Sequence, residues 1–265
     1  MNGIVFAVIL VSVVGLIGAV VLVLAAKFMA VYEDPRVAQC SECLPGANCG
    51  GCGYAGCSDY ARAVVEGAPV NKCAVGGPAC AAKLAEIMGV EAGDSVAKAA
   101  VVACTGAKNG ICEIKFDYQG IKSCAAAAAL AGGPSACAFG CVGLGDCVAA
   151  CNFDAIHVVD GVATVDRSKC VGCGACVQAC PKKIIMLGDA PQKPVVQCSN
   201  HEMGKFVMKE CKNGCISCGL CVKNCPEQAI TLDNFLAKID YAKCTGCGTC
   251  IEKCPKKVIH WQKDA

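Results

Sequence analysis

Nine cysteines of this chain recur at one fixed spacing, and that repeat constrains the fold more than any other feature. Cys124, Cys137, Cys141, Cys147, Cys151, Cys170, Cys173, Cys176 and Cys180 map, 74 residues later, onto Cys198, Cys211, Cys215, Cys221, Cys225, Cys244, Cys247, Cys250 and Cys254. Nine matches in register make residues 122–190 and 196–265 two copies of one unit. The chain has 28 cysteines in 265 residues and only 5% aromatics. A large core of Phe, Tyr and Trp is therefore not available, and something other than side-chain packing must hold each copy together. The cysteine count leaves two broad options, a disulfide scaffold or a metal-cluster protein.

The N-terminus bears on that choice through the compartment. Residues 1–26 carry no charge, and Ile4 to Ala26 has Ser12 as its only polar side chain. As a helix this run is about 34 Å long, enough to cross a hydrocarbon core of about 30 Å. A cleaved signal peptide is the rival, with Ala25-Ala26 as a small-residue site. It fits poorly, because Met1-Asn2-Gly3 has no basic residue and the apolar run exceeds the usual length. Residues 1–27 thus read as a transmembrane anchor. Lys27 and Arg36 follow it and nothing basic precedes it, which puts the rest of the chain on the cytoplasmic side of a single-pass protein. A reducing cytoplasm disfavours structural disulfides and favours metal.

Each repeat holds two cysteine motifs. In the second copy they are Cys215-x2-Cys218-x2-Cys221-x3-Cys225-Pro226 and Cys244-x2-Cys247-x2-Cys250-x3-Cys254-Pro255. This spacing resembles that of bacterial two-cluster ferredoxins, where three cysteines grip one cubane and the fourth reaches the other. Crossed pairing puts Cys215, Cys218, Cys221 and Cys254 on one cluster and Cys244, Cys247, Cys250 and Cys225 on its neighbour. The alternative, a zinc ribbon, uses two CxxC pairs rather than four cysteines per motif. Ile156–Val159 and Val162–Val165 alternate around Asp160-Gly161, and Ile230–Leu232 and Ala237–Ile239 do so around Asp233-Asn234, so each unit contains a hairpin. Short helices after each third cysteine complete a small α+β ferredoxin fold, present twice.

The first copy departs from the pattern. Leu144 stands where the second copy has Cys218, and Asn152 replaces the proline. Either Cys137 supplies the missing ligand beside Cys141, Cys147 and Cys180, or those three alone hold a [3Fe-4S] cluster. Cys170, Cys173, Cys176 and Cys151 complete an ordinary second cluster.

Ahead of the repeat lies Cys49-x2-Cys52-x4-Cys57-x15-Cys73, whose glycines let the backbone wrap closely. Ser58 to Gly67 reads as one helix capped by Ser58 that returns the chain to Cys73. A zinc site is the competing reading. The anchor, the run from Pro45 to Cys57, the Asn71-Lys72-Cys73 segment and the ferredoxin motifs together resemble the B-subunit family of the Rnf complex, the ion-translocating ferredoxin:NAD+ oxidoreductase of bacterial membranes, in its long form with extra ferredoxin motifs. The resemblance runs nearly end to end. It implies a membrane-anchored electron-transfer subunit in the bacterial cytoplasmic membrane, part of a translocase but making no bond itself. It further implies reduced ferredoxin and the other Rnf subunits as partners, and Cys49, Cys52, Cys57 and Cys73 as ligands of one [4Fe-4S] cluster in a module spanning residues 28–90. Cys40 and Cys43 lie outside that motif, and Cys80 is left spare. A four-cluster subunit of another oxidoreductase is the alternative, but such subunits lack the Cys49–Cys73 module. A non-redox zinc scaffold is a third reading, which a colourless protein would support.

Residues 91–121 form a linking segment with extra cysteines. A further cluster is expected from Cys104, Cys112, Cys124 and one of Cys198 or Cys211, bringing the total to about six cubanes. Residues 27–169 carry 11 basic and 14 acidic side chains, net −3, whereas residues 170–265 carry 13 and 8, net +5. Lys182-Lys183 and Lys256-Lys257 follow Cys-Pro pairs, and such a rim suits an acidic electron carrier or simply a solvated surface. No helix-turn-helix or basic–aromatic pattern points to nucleic acid, and no Gly-rich nucleotide loop follows a strand. His157, His201 and His260 occur singly and read as packing or surface residues.

Overall fold

A computed structural model describes residues 2–28, 34–93, 98–106, 110–189 and 193–261. Met1, parts of the expected module and linking segment (29–33, 94–97 and 107–109), and 190–192 and 262–265 fall outside the described residues. Helix α1 (Asn2–Phe28) is continuous, and its Val5–Ala25 stretch is long and apolar enough to cross a membrane, with none of it buried against the rest of the chain. The hydroxyl of Ser12 donates to the carbonyl of Val8 at 2.8 Å, so the one polar side chain of the run is satisfied within the helix.

Three helices follow: α2 (Pro35–Cys43), α3 (Cys57–Val65) and α4 (Gly77–Met88). Asp34 caps α2 by accepting from the amide of Arg36, with Pro35 at the first helical position. Gly89 closes α4 in the left-handed conformation, φ 64°. Tyr60, Ala61, Val64, Leu84, Cys40 and Cys80 form the core between them. Each large apolar side chain buried there contributes about 1.5–3 kcal/mol. Helix α3 is not capped by Ser58. Its N-cap is Gly56, and the amide of Cys57 donates instead to Asn48 Oδ1 at 2.8 Å. The Asn48 side chain thus ties the cysteine loop to the helix start.

The rest of the chain is two matching units. The first contains β1 (Lys98–Val102), α5 (Cys124–Ala129), α6 (Asp146–Ala149), β2 (Ile156–Val159), β3 (Val162–Val165), α7 (Ala175–Ala179) and β4 (Ile185–Asp189). The second contains β5 (Pro194–Val196), α8 (Gly204–Glu210), α9 (Leu220–Lys223), β6 (Ile230–Asp233), β7 (Leu236–Ile239), α10 (Thr249–Lys253) and β8 (Ile259–Trp261). Among the described residues all sheets are antiparallel pairs: β2 with β3, β6 with β7, β1 with β4 and β5 with β8.

The β2–β3 hairpin turns at Asp160-Gly161 (φ 50° and 78°) as expected. The second hairpin turns one residue later than expected, at Asn234-Phe235, because Asp233 still pairs with Leu236. Its turn residues have φ 43° and 61°, so Phe235 holds a left-handed conformation where the first unit has glycine. The four short motif helices start just before each third cysteine rather than after it. Each follows a glycine in the left-handed region, for example Gly174 (φ 80°) and Gly248 (φ 78°), which turns the cysteine loop into the helix without a Cβ clash.

Strand β1 lies in the segment expected only to link, and it extends the first unit back to Lys98. Its register runs Val102 opposite Ile185, while Val196 of β5 stands opposite Ile259. Since Ile185 and Ile259 are 74 residues apart, β1 and β5 are structural equivalents, and Cys104 and Cys198 each lie two residues beyond them. Cys104, not Cys124, is therefore the structural counterpart of Cys198. Residues 111–113 of the first unit lace it to the second, the amide of Lys212 donating to the carbonyl of Ile111 and that of Glu113 to the carbonyl of Glu210, while the amides of Lys115 and Ala136 donate to the carbonyls of Pro134 and Glu113 within the first unit. Apolar cores in both units are built around cysteines, with Ile156, Val165, Ile184 and Ile185 around Cys141, Cys147 and Cys176, and Ile230, Ile239, Val258 and Ile259 around Cys215, Cys221 and Cys250.

Candidate metal centres

The cysteines gather into separate cages. In the second unit Cys215, Cys218, Cys221 and Cys254 line one cavity, and Cys225, Cys244, Cys247 and Cys250 line another. Each motif helix holds a third cysteine inward, and the chain then crosses to deliver the fourth to the neighbouring cage. In the first unit Cys151, Cys170, Cys173 and Cys176 interact as one group, and burial, reinforced by the surrounding thiols, pushes Cys176 up to about 11. In the N-terminal helices Cys73 is raised by burial first, against a hydrogen bond from the amide of Gly76, and is raised further by Cys57, Cys52 and Cys49 close by.

Backbone amides aim at the sulfurs. Ala155 donates to Cys151 Sγ at 3.4 Å, Ala229 to Cys225 Sγ at 3.3 Å and Val258 to Cys254 Sγ at 3.4 Å, the same bond made by the residue four beyond each of these three crossing cysteines. Ala100 of β1 donates to Cys170 Sγ at 3.3 Å. Such donors stabilise negative charge on sulfur and tune a bound metal centre.

The irregular cage departs from expectation. Cys141, Cys147 and Cys180 line it together with Cys124. Cys137, expected as the fourth ligand, instead lines a separate cavity with Cys104, Cys112, Cys198 and Cys211, and Cys124, expected there, is not among its lining residues. Cys137 Sγ accepts from Asn200 Nδ2 at 3.5 Å, which turns it towards the second unit. This five-cysteine cavity touches both neighbours: the amide of Cys141 donates to Cys104 Sγ at 3.5 Å, and that of Cys215 to Cys198 Sγ at 3.4 Å. The two bonds are equivalent, as the strand register requires. Cys112 faces Cys211 across an antiparallel bridge, and the Cys211 thiol bonded to it pulls the Cys112 thiol below its ordinary value although burial opposes the shift.

Cys40 and Cys80 are buried among Tyr60, Val64 and Leu84, and the Cys80 thiol donates to the Cys43 carbonyl at 3.3 Å. Both serve as small apolar packing residues. His157 pairs with Asp154 at the surface, and His201 Nδ1 lies 3.3 Å from the carbonyl oxygen of Asn234.

The donor set fits iron–sulfur clusters rather than single ions. Four thiolates on one zinc would lie about 3.8 Å apart, given Zn–S bonds of about 2.3 Å. Among the described residues no three Cys, His, Asp or Glu side chains converge on one ion. The thiols instead gather in fours around shared cavities, and burial, reinforced by the neighbouring thiols, raises Cys147 to about 12 and Cys221 and Cys250 to about 11; binding a cationic metal centre favours the thiolate form.

Paired cages with crossed fourth ligands define an iron–sulfur protein of the dicluster ferredoxin class. The 4Fe-4S dicluster domain family matches residues 214–263, the 4Fe-4S binding domain family residues 163–186, and the FeS cluster family residues 44–75. Three relatives extend the similarity over most of the chain. It is 47% identical to the B subunit of the Na(+)-translocating ferredoxin:NAD(+) oxidoreductase complex of Acetobacterium woodii, over 92% of its own length and 73% of the relative's. It is 40% identical to the B subunit of the ion-translocating oxidoreductase complex of Methanosarcina acetivorans (84% and 85%). Its identity to the B subunit of the proton-translocating ferredoxin:NAD(+) oxidoreductase complex of Clostridium ljungdahlii is 42% (91% and 85%). The chain belongs to this family, the B subunits of Rnf-type ion-translocating oxidoreductase complexes.

Asp146, Asn48 and Asn200 hold cysteines in place, and the cysteine spacing alone does not mark them. Asp146 and Asn200 leave a trace in the sequence, since the 74-residue offset places Leu220 and Ala126 at their positions in the other unit, and Asn48 lies within the Pro45–Cys57 run.

Proposed function

We propose that the chain relays electrons from reduced ferredoxin to the other subunits of an ion-translocating ferredoxin:NAD+ oxidoreductase through a row of [4Fe-4S] clusters. Bound clusters supply one-electron redox chemistry, and the chain fixes their order, burial and hydrogen bonding. The observation that carries the reading is the continuity of the cages. Gly51, between Cys49 and Cys52, packs so closely on Cys173 that a Cβ there would come within 2.5 Å of its carbonyl oxygen, which sets the N-terminal cage beside the Cys151/Cys170/Cys173/Cys176 cage. Crossed ligands couple the two cages of each unit. The five-cysteine cavity, with hydrogen bonds to both Cys141 and Cys215, stands between the units as a sixth site. Four of Cys104, Cys112, Cys137, Cys198 and Cys211 would hold it.

Helix α1 anchors the row at the membrane, with the cluster units on the cytoplasmic side. The relatives' names give Na+ in one case and protons in another. The residues of α1 before Lys27 are uncharged, so the ion path belongs to partner subunits. The test is anaerobic iron and sulfide quantification with stopped-flow reduction by ferredoxin. About 24 irons per chain, and a broad visible band bleached by reduced ferredoxin, are expected. A colourless chain, or one that reduced ferredoxin leaves oxidised while dithionite bleaches it, overturns the reading.

A further inference from the structure

We infer that Cys124, positioned by Asp146, is the fourth ligand of the irregular cage, which makes that centre a four-iron cluster. This inference rests on the iron–sulfur reading above and deepens it. The cage of the first unit and its counterpart in the second share their walls residue for residue at the 74-residue offset: Cys141 and Cys215, Cys147 and Cys221, Cys180 and Cys254, Ile184 and Val258. The one cysteine without a counterpart in the first motif is Cys218, replaced by Leu144. Cys124 enters the first cage from a segment the second unit lacks, the stretch between Cys104 and Cys137, which is 20 residues longer than that between Cys198 and Cys211.

The position is built. Cys124 opens α5 and is only 7% exposed. Asp146, on the helix that carries Cys147, accepts from the amide of Cys124 at 2.9 Å through Oδ1, and from the amide of Ala125 at 3.1 Å and the hydroxyl of Ser123 at 3.0 Å through Oδ2. One carboxylate thus clamps the segment that brings in the new cysteine onto the helix that brings in an existing one. The second unit has Leu220 there, which can accept nothing, and has no such segment to hold. Leu144 packs against the small cluster of Cys124, Ala127 and Val142, so the side chain that displaced the loop cysteine supports its replacement.

The test uses the full-length chain purified anaerobically, with iron counting and paramagnetic resonance of the oxidised protein. Cys124→Ala is expected to lose one iron and to show the signal of an oxidised three-iron cluster. Adding Leu144→Cys to Cys124→Ala should restore the iron and abolish that signal, because it rebuilds the loop motif of the second unit. Asp146→Ala, which removes positioning and leaves all ligands, should give a fraction of three-iron centre rather than the whole. Cys137→Ala should leave this centre intact. If Cys124→Ala removes the whole cluster, restoration by Leu144→Cys still supports the inference and failure to restore overturns it. A three-iron signal from Cys137→Ala with a wild-type spectrum from Cys124→Ala overturns it while leaving the relay reading standing. Absence of any iron–sulfur signal from the wild type would sink the relay reading itself.

Discussion

Gly51→Ala isolates the contact between the N-terminal module and the first ferredoxin unit. Gly51 needs no left-handed backbone, so alanine adds only a methyl group. That methyl carbon would sit 2.5 Å from the Cys173 carbonyl oxygen and 3.0 Å from its Cα. Ordinary contact begins near 3.4 Å, so the two loops must part by about 0.9 Å, the difference between 3.4 and 2.5 Å. Neither side yields cheaply, since both are backbone in cysteine loops whose sulfurs are tied down. Overpacking of this kind costs about 1–3 kcal/mol, which loosens docking about 5- to 150-fold at RT of about 0.59 kcal/mol. Hydrogen exchange at the amides of residues 50–53 and 172–175 should accelerate by that factor with iron content unchanged. Electron passage from the N-terminal centre should slow in rapid-freeze spectra. Unaltered exchange at both loops would refute the packing argument.

Three other outcomes are expected. The hydroxyl of Tyr60, 1% exposed, donates to the Pro69 carbonyl at 2.8 Å and accepts from the Lys72 amide at 3.2 Å next to Cys73. Tyr60→Phe leaves both groups short of a partner, costs about 1–3 kcal/mol, and should speed chelator-driven iron loss from the N-terminal centre alone. Phe235 is half exposed at φ 61°, and Phe235→Gly should raise the stability of the second unit by about 1–2 kcal/mol by removing left-handed strain; a fall in the thermal midpoint would contradict this. Deleting residues 2–28 should move the chain from the membrane to the soluble fraction with iron per chain unchanged, because α1 packs against nothing else in the described structure; continued pelleting with membranes would contradict it.

Local order was legible where the chemistry is local. The motifs marked which loops line the cages, and the alternation around Asp160-Gly161 placed a hairpin to the residue. The same logic slipped by one residue at Asn234-Phe235, because Phe is a poor candidate for a left-handed turn and only pairing of Asp233 with Leu236 forces it there. Ser58 has the chemistry of a helix cap, yet the cap bond comes from Asn48, nine residues upstream of Cys57, and no local pattern announces that.

The sequence by itself determined the repeat, the crossing of each motif's last cysteine into the neighbouring cage of the second unit and the membrane-length helix, since each follows from spacing along the chain. Tertiary structure alone decided how cysteines outside the motifs are shared. Offset arithmetic pairs Cys124 with Cys198, whereas strand register pairs Cys104 with Cys198, because an antiparallel ladder counts residues from Ile185 and Ile259 and is blind to the longer segment between Cys104 and Cys137. That segment lets Cys124 reach one cage and frees Cys137 for another. Ligands separated by tens of residues meet only because hydrogen bonds and buried strands bring them together, and no periodicity in the chain records where.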